Sequence, residues 1–528
     1  MVRLGARTMS GGLNDMEQKK MKAVLAALAF SVVLVSAAPS RAAGTPSAQS
    51  AQPASAPQSG APGDSSVHQT ITLDGKAIPY TATAGTIALK DAQGNTTCTM
   101  FYVGYTADGV ADLSRRPVTF FYNGGPGSAS VFLHMGSFGP KRVLTADGQH
   151  TQPSPYQLVD NQYSLLDKTD MVFVDAPGTG FSRLAPSAKP EDFYGVDQDG
   201  TAFKEFVERY LGQNGRWNSP KFLFGESYGT TRSAVLANLL QQDGNDLNGV
   251  ILLSSALNFA TGFIDGDGLD SLYIGYLPTE SAIAWYHNKI PNRPAQLAPF
   301  VQSARDFAIG EYADALLQGS TLSASERDDV VRKMHAFTGL SERFIRNADL
   351  RVEPGEFEKE LLRADNRTVG RLDGRFLGID NKAVGDTPDY DPTSTNAEVT
   401  ALNDYVRSGL HYQTDLIYDQ LSFAVNSAWD LTHTIDGNKE SIADVLPDLH
   451  DAMTQNPHLR VFSANGYYDM ATPFFGTQYA LTHMNLDPSL RANITYGFYE
   501  SGHMVYLHEP ALAQFRADLE RWYDSALH

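Results

Sequence analysis

A single cysteine, Cys98, stands among 528 residues, so no internal disulfide can form, and no Cys/His grouping has the spacing of a zinc site. Neither a metal nor an organic cofactor is expected. Cys98 itself falls in an apolar alternating run and reads as a small buried strand residue. Positive charge is short as well: 41 Lys+Arg face 60 Asp+Glu, a net charge of -19, which argues against nucleic acid as a partner. Long apolar runs are confined to residues 23–38, shorter than the roughly 20 residues of a membrane span. That run follows Lys19, Lys20 and Lys22 and precedes Ser40, Ala42 and Ala43, the order of a secretory signal peptide. The expectation is a signal over residues 1–43, with translation starting at Met16 or Met21, and export to the periplasm or the medium. No stable membrane insertion is expected once the signal is removed. Residues 44–66, dominated by Ala, Ser, Pro, Gly and Gln, predict a disordered spacer.

With 42% hydrophobic residues the chain can bury a large core, and its length predicts a core domain carrying an insertion. Residues 68–105 alternate apolar and polar between short turns such as Asp74-Gly75, the pattern of an antiparallel entry to a sheet. From residue 117 onward the strands are continuously apolar and alternate with helices, as in parallel strands covered on both faces. Such strands are expected at 117–122, 171–174, 222–224, 249–254, 459–463 and 494–499, with helices at 202–211, 232–240 and 509–527. Residues 258–456 read instead as successive amphipathic helices, at 281–289, 304–317, 326–337, 342–347, 356–362, 397–407 and 442–453, without strand alternation. The division is therefore a first core segment at 67–257, an inserted helical cap at 258–456 and a second core segment at 457–528. Tyr276, Trp285, Tyr286, Tyr412 and Trp429 either line the cleft beneath the cap or pack in its core.

The apolar strand at 222–224 ends in Gly225-Glu226-Ser227-Tyr228-Gly229 and a helix follows. A strand turning this sharply holds its central residue in strained geometry, and both flanking positions must be free of a bulky Cβ. Ser227 then stands clear at a helix N-terminus, which favours developing negative charge. A serine nucleophile needs a base and a group that orients it. Asp469 and His503 each follow a strand, in the chain order Ser, Asp, His of the α/β-hydrolase fold. His134, His433, His483 and His508 compete for the base and Asp448 and Asp451 for the acid. The Ser501-Gly502 turn before His503 and the cap-helix setting of Asp448 and Asp451 favour His503 and Asp469. The oxyanion requires N–H donors, one from Tyr228 and one from a glycine of Asn123-Gly124-Gly125-Pro126-Gly127.

Taken with Asp175-Ala176-Pro177-Gly178-Thr179-Gly180-Phe181-Ser182 and Gly502-His503-Met504-Val505, these motifs resemble the serine carboxypeptidases, the carboxypeptidase Y-like α/β-hydrolases. The resemblance implies a mostly parallel sheet flanked by helices and release of C-terminal residues from peptides. It implies Gly125 and Tyr228 as the oxyanion hole, and Asn123 and Glu226 as the residues that bind the terminal carboxylate. A glutamate beside a bound carboxylate must share a proton with it, so acidic pH should be favoured. Three departures accompany the likeness. Ser137 stands where the family usually has a second glutamate, Phe121 replaces an aromatic that is commonly tryptophan, and Ser128 replaces a frequent cysteine. An esterase or acyltransferase on the same scaffold, or a non-catalytic peptide-binding protein, are the other readings.

Overall fold

A computed structural model describes residues 63–264, 269–382, 384–393 and 395–527. The expected signal and most of the expected spacer lie outside the described residues, and Ser65, placed in that spacer, already belongs to a strand. The entry strands β1 (Ser65–Leu73), β2 (Lys76–Lys90) and β3 (Thr96–Ala107) pair antiparallel as their alternation predicts. Then come β4 (Val118–Tyr122), β5 (Asp170–Val174), β6 (Lys221–Glu226), β7 (Gly249–Leu253), β8 (Arg460–Gly466) and β9 (Ile494–Tyr499). These six run parallel, and the sheet order is β1-β2-β3-β5-β4-β6-β7-β8-β9, with Arg183–Leu184 added beside β3.

The chain leaves β4 for β5 on one side and returns to β6 on the other. The carboxyl ends of β4 and β6 therefore face a crevice at a topological switch point, where open α/β sheets bind ligands.

Because side chains alternate along a strand, the sheet divides its apolar residues between two layers. Phe120, Tyr122, Leu223 and Val250 pack with helices α1 (Val196–Gln213), α2 (Tyr228–Gln242) and α3 (Leu446–Gln455). On the opposite face Phe121, Phe224, Ile251 and Phe462 pack with the last helix, α4 (Glu509–Ala526). A third cluster lies within the insertion, and Tyr468, Met470, Phe474 and Phe475, from the segment after β8, belong to it.

The insertion departs from expectation in four places. Helix Ser271–Tyr286 begins well before residue 281, because Leu272 to Ala284 are buried on nearly every side and leave no amphipathic stripe to read. The segment 304–317 breaks at Gly310 into Leu297–Phe307 and Ala313–Gln318. Two hairpins occur where no strand was expected, Arg367–Val369 with Leu377–Ile379 and His433–Ile435 with Asn438–Glu440, each too short to show alternation. Finally α3, expected at 442–453 as a cap helix, packs on α2 through Leu446, Leu449 and Met453, so core packing resumes before residue 456.

Of the five aromatic residues considered for the cleft, Tyr276, Tyr412 and Trp429 are buried in the core clusters. Trp285 carries Arg293 over its ring, and Tyr286 packs beside Tyr468.

Three glutamates are buried within the insertion. Burial pushes Glu280 up to about 8, helped by the charge of Glu353. Burial also pushes Glu358 up to about 8 and Glu398 up to about 7. Each holds in the fold a proton that the unfolded chain releases near its ordinary carboxylate range. Their stabilisation is complete below about pH 4.5 and is lost as pH rises through about 7 to 8. The unfolding midpoint should therefore fall by about 5 °C or more between pH 5 and pH 9. Scanning calorimetry across that range checks this, and the slope should shrink in Glu280→Gln and Glu358→Gln; a midpoint rising toward pH 9 contradicts it.

Candidate active site

Ser227 links β6 to α2 with φ 60 and ψ -130, a conformation costing about 1–3 kcal/mol for a residue with a Cβ. Packing around it leaves no alternative. A Cβ on Gly225 would lie 2.1 Å from the Gly229 carbonyl oxygen, and one on Gly229 would lie 2.9 Å from that of Tyr122. A Cβ on Gly124 would sit 2.3 Å from the Tyr228 nitrogen, so the loop after β4 lies directly against the start of α2. The Ser227 N–H donates to the Leu253 carbonyl at 2.9 Å and its carbonyl accepts from the Thr230 N–H at 2.8 Å, which ties the turn to β7.

Asp469 and His503 meet beside this turn. His503 Nδ1 lies 2.9 Å from Asp469 Oδ2. Asp469 is fixed in turn: Oδ1 accepts the N–H groups of Ala471 and Thr472 at 2.8 and 2.9 Å, and Oδ2 accepts the Thr472 hydroxyl at 2.7 Å. Burial works against the charged form of His503, but the Asp469 carboxylate outweighs it and raises the imidazole above its ordinary range.

Two segments hold the histidine loop. Ser254, at the end of β7, donates its hydroxyl to the His503 carbonyl at 2.7 Å. From the insertion, the Leu372 carbonyl accepts the His503 N–H at 2.6 Å and Asp373 Oδ2 accepts the Gly502 N–H at 3.2 Å. The same insertion segment grips the acid loop, for the Gly374 N–H donates to the Tyr468 carbonyl and the Met470 N–H to that of Arg371.

Asn123 accepts the Leu133 N–H through Oδ1 at 3.0 Å, leaving its Nδ2 group as the donor edge. Its carbonyl accepts from Arg232 Nη1 at 2.8 Å, and Arg232 pairs with Asp199 at 2.7 Å with both side chains fully buried. Burial pushes Glu226 up to about 7, against the lowering effect of the His503 charge. Its Oε2 and the Tyr506 hydroxyl have no hydrogen-bond partner among the described residues.

Ser137 is absent from this group. Its hydroxyl donates to the Leu133 carbonyl inside the turn His134–Phe138. Phe121 is stacked between Phe173 and Phe224, a purely packing role, and Ser128 is buried with its hydroxyl turned to backbone carbonyls.

A cavity of about 470 Å³ brings together Ser227, His503, Asn123, Gly125 and Glu226, with residues of the insertion forming the opposite wall. Asp469 lies behind His503, and Tyr228 is the first residue of α2. The competing groups lie elsewhere. His134 bonds Tyr105, His433 sits between Asp197 and Asp448, Asp451 pairs with His450, His483 stacks on Tyr479, and His508 pairs with Asp147.

Reading the sequence missed Thr472, Tyr506 and the segment Arg371 to Arg375. Only Thr472 left a signal: an Asp followed by Thr three positions on is a side-chain-to-backbone turn.

The family model described as "Serine carboxypeptidase" matches residues 76–500. Among curated proteins, serine-type carboxypeptidase F of Aspergillus niger is 34% identical over 113 residues, which is 21% of this chain and 19% of that protein. Pheromone-processing carboxypeptidase KEX1 of Phytophthora infestans is 24% identical over 434 residues, covering 78% of this chain and 60% of that one. Serine carboxypeptidase-like 38 of Arabidopsis thaliana is 23% identical, with 79% of each chain covered. The crystal structure of the prohormone-processing carboxypeptidase KEX1(delta)p from Saccharomyces cerevisiae aligns with a TM-score of 0.51 at 16% identity, over 84% of this chain and 91% of that one. The central sheet is that of an α/β-hydrolase.

The buried pair behind the loop predicts a stability result. Arg232→Met strands the Asp199 charge and should cost about 3–5 kcal/mol in chemical denaturation, with much of the loss recovered in Arg232→Met/Asp199→Asn. A single variant within 1 kcal/mol of the parent, on that same scale of about 3–5 kcal/mol, would show the pair to be dispensable.

Proposed function

Because the chain belongs to the serine carboxypeptidase family, we propose that it releases single residues from the free C-terminus of peptides through an acyl-enzyme on Ser227. The observation that carries this reading is one cavity holding a strained serine, an imidazole paired with a carboxylate, and an Asn/Glu pair beside them. Ser227 Oγ attacks the last peptide carbonyl while His503 Nε2 takes its proton. Asp469, held by Thr472, keeps Nδ1 as the donor side and stabilises the imidazolium. Gly125 and Tyr228 N–H groups receive the oxyanion. The proton passes to the leaving nitrogen, and a water then repeats the sequence on the acyl-enzyme.

Asn123 and protonated Glu226 bind the terminal carboxylate. The neutral carboxyl of Glu226 can donate, whereas its anion repels the substrate. The run of lysines and apolar residues at 19–38 supports export, to the periplasm or the medium. Ser137, whose hydroxyl is bound to a backbone carbonyl and supplies nothing to the substrate, favours one second reading, an esterase or acyltransferase.

Ser227→Ala should fold with an unchanged melting point and lose about 10³-fold or more in kcat/KM. Full turnover in that variant removes the hypothesis. A blocked peptide with a free C-terminus should be cleaved and its amide should not; equal cleavage of both would favour the second reading.

The pH profile provides a further test. Activity toward free C-termini should fall as pH rises through about 7, where Glu226 loses its proton, and should also fall at low pH as His503 becomes protonated. In Glu226→Gln the alkaline limb should disappear. Persistence of the limb would assign it to another group.

A further inference from the structure

Arg371 faces the catalytic cavity from the insertion and takes no part in the reaction just described. Its backbone is pinned, since its carbonyl accepts the Met470 N–H at 3.0 Å beside the acid loop. Its side chain is half-buried, and among the described residues no carboxylate lies within hydrogen-bond or ion-pair distance of the guanidinium. Arginines 116, 216, 232 and 375 are all paired with aspartates.

The acidic groups nearest Arg371 do not serve as its partner. Burial pushes Glu358 up to about 8 against the lowering effect of Arg371 and so favours its neutral form, and it makes no ion pair with the guanidinium. Asp391 also lines the cavity, but Oδ2 accepts the Leu372 N–H at 2.9 Å, and Oδ1 accepts the Thr393 N–H at 2.9 Å and hydroxyl at 2.8 Å. Its lone pairs are largely committed. Arg371 also lies close enough to His503 to disfavour the imidazolium, so the cation works against catalysis unless something neutralises it. In a chain with 60 acidic and 41 basic residues, an arginine on this wall without an ion-pair partner among the described residues offers its guanidinium to an incoming anion.

The position of the guanidinium indicates which anion it meets. His503 returns its proton to the leaving nitrogen, so the leaving residue lies against the imidazole, on the side of the cavity that Arg371 adjoins. Asn123 and Glu226, at the ends of β4 and β6, already hold the α-carboxylate in the proposed reaction. We propose that Arg371 binds a side-chain carboxylate on the residue being released, so that the enzyme favours peptides ending in Asp or Glu. This inference rests on the carboxypeptidase reading and adds a substrate class to it.

Blocked dipeptides Phe-Glu, Phe-Asp, Phe-Leu and Phe-Lys, together with Glu-Leu, test the proposal through ratios of kcat/KM. Phe-Glu and Phe-Asp should exceed Phe-Leu by about 10-fold or more, the range of one charge-assisted hydrogen-bonded contact. Phe-Lys should be the poorest. In Arg371→Met the Phe-Glu to Phe-Leu ratio should collapse toward one, Arg371→Lys should keep part of it, and Arg371→Glu should turn preference toward Phe-Lys. A parent enzyme without preference overturns the inference and leaves the carboxypeptidase reading standing. So does a ratio unchanged in Arg371→Met, as when all substrates slow equally because the arginine holds the α-carboxylate. Preference for Glu-Leu over Phe-Leu, with none for Phe-Glu, places the anion on the acyl side and also overturns it. If none of the peptides is cleaved, the carboxypeptidase reading fails and the inference fails with it.

Discussion

Backbone contact at the switch point of the sheet is the constraint on which the other features depend. Gly124, Gly225 and Gly229 allow the ends of β4 and β6 and the start of α2 to approach more closely than any Cβ permits, and Ser227 is held at positive φ between them. That strain persists only because the surroundings over-determine it: β7 binds the Ser227 N–H, and the buried Arg232 braces the Asn123 carbonyl. One packing solution thus sets the height of the hydroxyl, the position of the glycine loop and the orientation of the Asn123 amide. Relaxing any of the three would move the other two.

The insertion takes a structural part in the chemistry as well as covering it. Leu372 and Asp373 bind the histidine loop while Arg371 and Gly374 bind the acid loop, so one short segment joins two groups that arrive from different strands. A Cβ on Gly502 would lie 2.4 Å from the Leu372 carbonyl oxygen, which shows how tightly this join is made. Arg375, paired with Asp373 and Asp147, anchors the segment to the core domain. The insertion is therefore expected to shape substrate choice and imidazole placement together, since the same residues serve both.

This division explains what could be read in advance. The parallel strands were legible because they are continuously apolar, and the glycine-rich turns because close backbone contact needs glycine wherever it occurs. The positions of Ser227, Asp469 and His503 at strand ends followed from that pattern. The insertion was harder. Helix Ser271–Tyr286 is buried on nearly all sides and shows no stripe, and three-residue hairpin strands are too short for alternation to emerge. Tyr506 and Arg371 left no local signal, because their placement depends on contacts between segments far apart in the chain. The use made of Ser137 could not be read either, since its hydroxyl is satisfied locally by the Leu133 carbonyl.

Glu226 of the site and three acids of the insertion share one electrostatic condition. Glu226 and Glu398 are held near 7, and Glu280 and Glu358 near 8, in each case chiefly by burial. A buried carboxyl without a partner is tolerable only while neutral. The scaffold and the proposed carboxylate contact therefore ask for the same side of neutrality, although His503, raised by Asp469, asks for the opposite. The conflict is confined to one pair, because ionised Glu226 stabilises protonated His503 and each proton arrangement favours its own partner. In the proposed complex a substrate carboxylate would resolve it in the productive direction, since negative charge added beside Glu226 keeps the proton on the glutamate. Arg371, whose positive charge disfavours the imidazolium, opposes that direction until an anion neutralises it.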